Sequence, residues 1–188
     1  MVGCSIKGRF ILGRLKDKVA VITGGASGIG ESTVKLFIEE GARVAFSDQD
    51  GQRGIALSKE IKSTGSDVLF VEAKMELEDQ AVSFVQRAAD HFGQLDILVN
   101  NVAIRMFQTV VEASQESWDT ILSVNVKSYA FCAKAAIPLM HARGGGSIIN
   151  IASNNAVIAG INTVQYDTTK AAITGLTRGM ARAHSIEG

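Results

Sequence analysis

Five short apolar runs recur along the chain, and helical patterns separate and follow them. The runs are VAVIT (19–23), RVAFS (43–47), DVLFVE (67–72), DILVNN (96–101) and SIINIAS (147–153). Between them, Ile29, Thr33, Leu36 and Phe37 mark one helix, stopped by Gly41. A polar helix ends near STGS, and Ala81, Val85, Ala88, Ala89 and Phe92 mark a third, closed by Gly93. A long helical pattern runs from about Ser117 to Ala142, and a last helix starts near Tyr166. Strands without polar alternation are covered on both faces, and helical crossovers between them require parallel pairing. The pattern therefore predicts an α/β fold: a doubly wound parallel sheet in three layers, α/β/α. No linker, internal repeat or low-complexity tract interrupts it, so residues 15–188 read as one domain and 1–14 as an N-terminal arm. The arm is basic, but its apolar part, Phe10–Leu12, is too short for a secretion signal, and Gly3 misses the myristoylation position.

Glycines stand at 24, 25, 28 and 30, where the first run turns into the first helical pattern. Glycine inside regular structure costs stability, so the cluster needs a cause. In a doubly wound sheet this turn faces the ligand crevice, and the following helix N-terminus presents free N–H groups that suit a pyrophosphate. The spacing G-x-x-x-G-x-G, set between strand and helix, points to nucleotide binding rather than a bare turn. Asp48 closes the second run, 18 residues past Gly30. A carboxylate there accepts hydrogen bonds from ribose hydroxyls and repels a 2′-phosphate, which favours NAD over NADP. The competing reading makes Asp48 a helix cap, a role open equally to Asp50.

Tyr166 and Lys170, in YDTTK, lie four apart and share a helix face. A cation beside a phenol favours the phenolate, which makes Tyr166 a candidate general acid/base. Alone, the pair is also what chance places on a solvated helix face. Asn125 lies in an apolar stripe with Trp118, Ile121, Leu122, Tyr129, Cys132 and Ala136. A buried amide must find partners, so a purely structural role competes with a catalytic one.

The remaining composition narrows the classes. Nineteen basic and nineteen acidic residues cancel, which argues against a nucleic-acid or anionic-membrane surface. The two cysteines, Cys4 and Cys132, form no framework, and His91, His141 and His184 are far apart, so no metal site is expected. No run reaches membrane-spanning length, and a cytoplasmic location is the expectation. Met75, Met106, Met140 and Met180 read as packing.

Taken together, Thr23-Gly24-x-x-x-Gly28-x-Gly30, Asn125, a serine 13 residues before the tyrosine (Ser153), and Tyr166-x-x-x-Lys170 resemble the short-chain dehydrogenase/reductase family from about Leu15 onward. The resemblance implies a Rossmann-like fold and NAD(H)-dependent interconversion of a secondary alcohol and a ketone. Tyr166 would exchange the proton with the substrate oxygen, and Ser153 would hydrogen-bond that oxygen. Lys170 would hold the nicotinamide ribose, and Asn125 would hold a water that relays protons from Lys170. The implied cofactor site comprises Thr23, Gly24, Ser27, Gly28, Ile29, Gly30, Asp48, Lys74, Met75, Asn101, Val102, Ala103, Tyr166 and Lys170.

Three departures from the family pattern stand out. Val102 and Ala103 replace the Ala-Gly that usually follows two asparagines, and Lys74 stands where the family has an aspartate facing adenine. The chain also stops at SIEG, before the last strands of such a domain and the loop that covers the substrate. A second reading therefore accompanies the enzyme: a non-catalytic, nucleotide-binding or dimerising remnant. The apolar AVIAGINTV (156–164) predicts an uncharged, hydrophobic substrate. The family's habit of forming homodimers or homotetramers makes the Tyr129–Phe131–Cys132 face a candidate interface, and the same apolar face is equally compatible with ordinary core.

Overall fold

The computed structural model describes residues 13–187, so the arm's first twelve residues, Cys4 among them, lie outside it. Five strands form one parallel sheet: β1 (Val19–Thr23), β2 (Arg43–Asp48), β3 (Val68–Glu72), β4 (Ile97–Asn100) and β5 (Ser147–Asn150). Their spatial order is β3-β2-β1-β4-β5. The chain winds outward from β1 to β3, then returns across β1 to β4 and β5. That reversal opens a crevice beyond the carboxyl ends of β1 and β4.

β1 is central and wholly buried, and its side chains alternate between two cores. Val19 and Val21 face one core, with α3 (Glu78–Phe92) and α5 (Ser128–His141). Ala20 and Ile22 face the other, with α1 (Gly28–Glu39) and α2 (Gly51–Ser63). Both sides of the sheet are thus covered, as an unbroken apolar strand requires. Local signals set the helix ends. Asp50 caps α2 by accepting from Arg53 N at 3.0 Å, and Gly93 closes α3 in the left-handed region at φ 76°. In the described part of the arm, Gly13 and Arg14 are tied through their N–H groups to the buried Glu40 carboxylate at 3.1 and 3.0 Å.

Two expectations are corrected. The fifth strand ends at Asn150, not Ser153. The Ile151 N–H still bonds Asn100 O, but the Ile151 carbonyl turns away to Lys170 Nζ. The long helical pattern is two helices, α4 (Gln115–Leu122) and α5, joined by a π-helical turn over Ser123–Lys127. The last helix, α6 (Val164–His184), starts near Tyr166 as expected. Tyr129 and Cys132 are fully buried in the chain's own core, so of the two readings of the Tyr129–Phe131–Cys132 face these two residues follow the core one. Burial pushes the Cys132 thiol up to about 12, so it stays a neutral core group. Among the described residues no helix is long and apolar enough to cross a membrane.

Candidate active site

The glycine turn joins the end of β1 to the start of α1. Gly24 and Gly28 both take positive φ, 64° and 53°, which a side chain would strain. A Cβ on Gly30 would overlap the Gly24 carbonyl oxygen and approach Asn101 Nδ2 to 2.8 Å, so only glycine lets α1 start against the turn. Thr23 Oγ1 accepts from Asn101 N (3.0 Å) and Val102 N (3.2 Å). Asn101 Nδ2 donates back to Thr23 O (3.0 Å) and Gly24 O (3.1 Å). These four bonds fix the β4 loop against the glycine turn.

A crevice of about 370 Å³ opens here. Gly24, Ser27, Gly28, Ile29, Asp48, Lys74, Met75, Asn101, Val102 and Ala103 all line it. Thr23 and Gly30 do not; they hold its wall. Ser27 precedes α1 without a side-chain cap, and the first-turn N–H groups of Gly28, Ile29 and Gly30 find no acceptor among the described residues. Those donors, with the positive end of the helix, form an anion site of the kind a pyrophosphate fills. Asp48 accepts from Ala26 N and from Asp50 N, each at 3.1 Å, while Asp50 caps α2. Asp48 is therefore fixed at the crevice and is not the helix cap. Lys74 lines the crevice with no acceptor in its side chain, and its N–H is taken by Gln80 Oε1 at 2.8 Å.

α6 carries Tyr166 and Lys170 to the same end of the sheet. Tyr166 is half-buried, and Lys170 is 1% exposed. Lys170 Nζ donates to Ile151 O at 2.7 Å and to Tyr129 Oη at 3.4 Å, and it lies 5.7 Å from the Tyr166 ring centre. Desolvation draws the Lys170 pKa from 10.5 down to about 8. Tyr129, buried beside it, donates to Ile151 O at 3.2 Å, and burial, then the nearby Tyr166, raise its pKa. Sequence reasoning placed Tyr129 in the apolar stripe and on the Tyr129–Phe131–Cys132 face, not beside Lys170. Its spacing from Asn125, one helical turn, was the available signal.

Asn125 sits fully buried in the π-helical turn. Its Oδ1 accepts from Ile104 N and its Nδ2 donates to Ile104 O, both at 2.8 Å, and Nδ2 also donates to Thr169 Oγ1 at 3.1 Å. The amide thus clamps the β4–α4 loop to α6, one residue from Lys170, without bonding the lysine. A π-turn of this kind re-aims one side chain inside a continuous helix.

Ser153 is turned toward its own loop. Its Oγ accepts from Asn155 N at 3.1 Å and donates to Asn154 Oδ1 at 3.1 Å. Asn155 Nδ2 in turn donates to Asp167 Oδ1 at 2.6 Å, so Ser153 joins α6 through Asn155 and Asp167 rather than through Tyr166. Asp167 also accepts from Thr163 Oγ1 and Gly160 N, each at 2.9 Å. Burial opposes its charge, but these bonds and the charge of Arg105 outweigh it and hold the carboxyl below its ordinary value. Asp167 and Arg105 have no counterpart in the sequence reading.

A profile of the short chain dehydrogenase family matches residues 18–188. An uncharacterized oxidoreductase of Thermotoga maritima is 34% identical over 167 residues, 89% of this chain and 65% of that protein. A 3beta-hydroxysteroid dehydrogenase of Eggerthella lenta is 35% identical over 176 residues, 93% of this chain and 68% of the relative. Among solved structures, a 7α-hydroxysteroid dehydrogenase complexed with NADH and 7-oxo-glycochenodeoxycholic acid superposes with a TM-score of 0.89 at 28% identity, over 93% of this chain and 68% of its own. The chain thus spans about two thirds of the length of these relatives. The parallel sheet, the glycine turn and the extent of the match lead to one conclusion: this chain belongs to the short-chain dehydrogenase family of oxidoreductases.

Proposed function

We propose that the chain transfers hydride between NAD(H) and a secondary alcohol or ketone, with Tyr166 as the general acid/base. The observation that carries this reading is the convergence, at one end of the sheet, of an uncapped helix N-terminus and Asp48 with a half-buried phenol and a buried lysine. The nicotinamide cofactor supplies the hydride acceptor or donor. Gly28, Ile29 and Gly30 N–H groups hold the pyrophosphate, Asp48 takes the adenosine ribose hydroxyls, and its charge selects NAD over NADP. Val102 and Ala103 shape the crevice beside Asn101.

The Tyr166 hydroxyl protonates the carbonyl oxygen in reduction and takes the proton in oxidation. The Ser153 hydroxyl leaves Asn154 to hydrogen-bond the same oxygen. Lys170, fixed by Ile151 and Tyr129, keeps an ammonium below about pH 8 for the ribose hydroxyls and for the phenol. Asn125 holds the loop and α6 in register and orients the water that relays protons to Lys170. The domain over residues 15–188, a homodimeric or homotetrameric assembly and a cytoplasmic location belong to the same reading.

One observation, the open flank of β5, bears on the alternative, a non-catalytic nucleotide-binding or dimerising remnant. Cavities of about 310 and 340 Å³ flank β5, one beside α6 and one beside α1, and Ile149, in the lining of the second, is 40% exposed. One experiment separates the two: NADH binding, and NAD reduction with a panel of cyclic and linear secondary alcohols. Binding with turnover supports the enzyme; tight binding without any turnover supports the remnant.

A further inference from the structure

Two loops bound the open side of Tyr166: residues 101–114 after β4 and residues 151–163 before α6. A parallel bridge between Gln108 and Thr163 joins them. Of the twelve large hydrophobic side chains exposed among the described residues, six stand on these loops: Phe107, Val110, Val111, Val157, Ile158 and Ile161. Half of the exposed apolar side chains are thus gathered at one mouth, which marks it as a binding rim.

One cation stands in that mouth. The Arg105 guanidinium lies 4.5 Å from the Tyr166 ring centre and 5.7 Å from that of Phe107. Arg105 is exposed, and these two ring contacts hold it over the phenol. Among the described residues it makes no hydrogen bond and no ion pair. The acid nearest it in effect, Asp167, is occupied by Asn155, Thr163 and Gly160 and feels Arg105 only through its charge. The other site cation, Lys170, is buried and directs its bonds inward to Ile151 and Tyr129. The planar fork of Arg105 therefore keeps all its donors available beside the Tyr166 ring, and such a fork pairs with a carboxylate.

We propose, resting on the hydride-transfer reading above, that the site takes a substrate with an apolar body and a carboxylate, and that Arg105 binds the carboxylate. The apolar rim agrees with the hydrophobic substrate expected from residues 156–164; Arg105 replaces the expectation that this substrate is uncharged.

The test uses the full chain and two probes matched in length, octanoate and octanamide, titrated calorimetrically with and without NADH. The wild type prefers octanoate by roughly tenfold or more, the value of a charge-assisted pair at a partly open site. In Arg105→Gln that ratio falls to near one. In Arg105→Lys part of it returns, because a point charge replaces the fork. The ratio is internal to each variant, so a change in stability does not imitate it. Equal binding of the two probes by the wild type, no binding of octanoate, or an unchanged ratio in Arg105→Gln overturns the proposal. Octanoate preference without hydride transfer on any alcohol refutes the catalytic reading and leaves the carboxylate site standing. Turnover of neutral alcohols with no carboxylate preference does the reverse.

Discussion

Lys170→Met removes a buried ammonium while keeping most of the side-chain volume. In the wild type the folded lysine releases its proton near 8 instead of 10.5, because desolvation disfavours the charge. The unfolded chain holds that proton up to the ordinary value. Between the two values the unfolded state binds more protons, so stability rises with pH across this window. The penalty is fully present below about pH 8 and gone above the ordinary lysine value. At about 1.4 kcal/mol per pH unit, the span amounts to about 3 kcal/mol. Against it stand the bonds to Ile151 O and Tyr129 Oη, each contributing on the order of 1–2 kcal/mol and both lost in the variant. Near pH 7 these contributions nearly cancel, so Lys170→Met unfolds in urea within about 1–2 kcal/mol of the wild type. Near pH 10 the wild type gains about 2–3 kcal/mol relative to the variant. Urea unfolding of both proteins at the two pH values measures this difference. A gap that does not widen with pH refutes the buried, desolvated ammonium and the role built on it.

Two other substitutions probe the cofactor crevice. Asp48→Ala lowers the preference for NAD over NADP by about tenfold, read as the ratio of dissociation constants, because one hydrogen-bonding, phosphate-repelling carboxylate is lost; an unchanged ratio removes Asp48 from the site. Gly30→Ala drives a methyl against the Gly24 carbonyl and lowers stability by about 1–3 kcal/mol in urea unfolding, with weaker NADH binding; a variant as stable as the wild type contradicts the close approach of α1 to the turn.

The sheet was legible because each strand is a continuous apolar run bounded by glycine or polar residues, and burial on both faces leaves no other pattern for a parallel sheet. The glycine turn was legible for a related reason, since glycines between a strand and a helix are too costly to be incidental; of the twelve residues besides Tyr166 and Lys170 that the family resemblance implies, ten line the crevice. What stayed hidden depends on contacts distant in sequence. A π-turn adds one residue to a helix that is apolar on either side, so the stripe from Trp118 to Ala136 gives no sign of the break at Ser123–Lys127. The fifth run reads as strand to Ser153, but the Ile151 carbonyl is drawn to Lys170, nineteen residues later. Arg105 and Tyr166 meet where the Gln108–Thr163 bridge and the Asn125 clamp on Ile104 join the two loops and α6, and no local periodicity encodes that. Asp167 was not singled out at all: three donors from the 155–163 loop make it the anchor of that loop, and all three contacts come from the fold.

Tyr166→Phe tests the central claim most directly, since it deletes one hydroxyl and leaves the ring, the Arg105 stack and the crevice in place. With NADH binding measured alongside, the account predicts that the variant binds the cofactor and loses hydride transfer by roughly 10²–10⁴-fold, the contribution of a positioned proton donor. Turnover at the wild-type rate would contradict it.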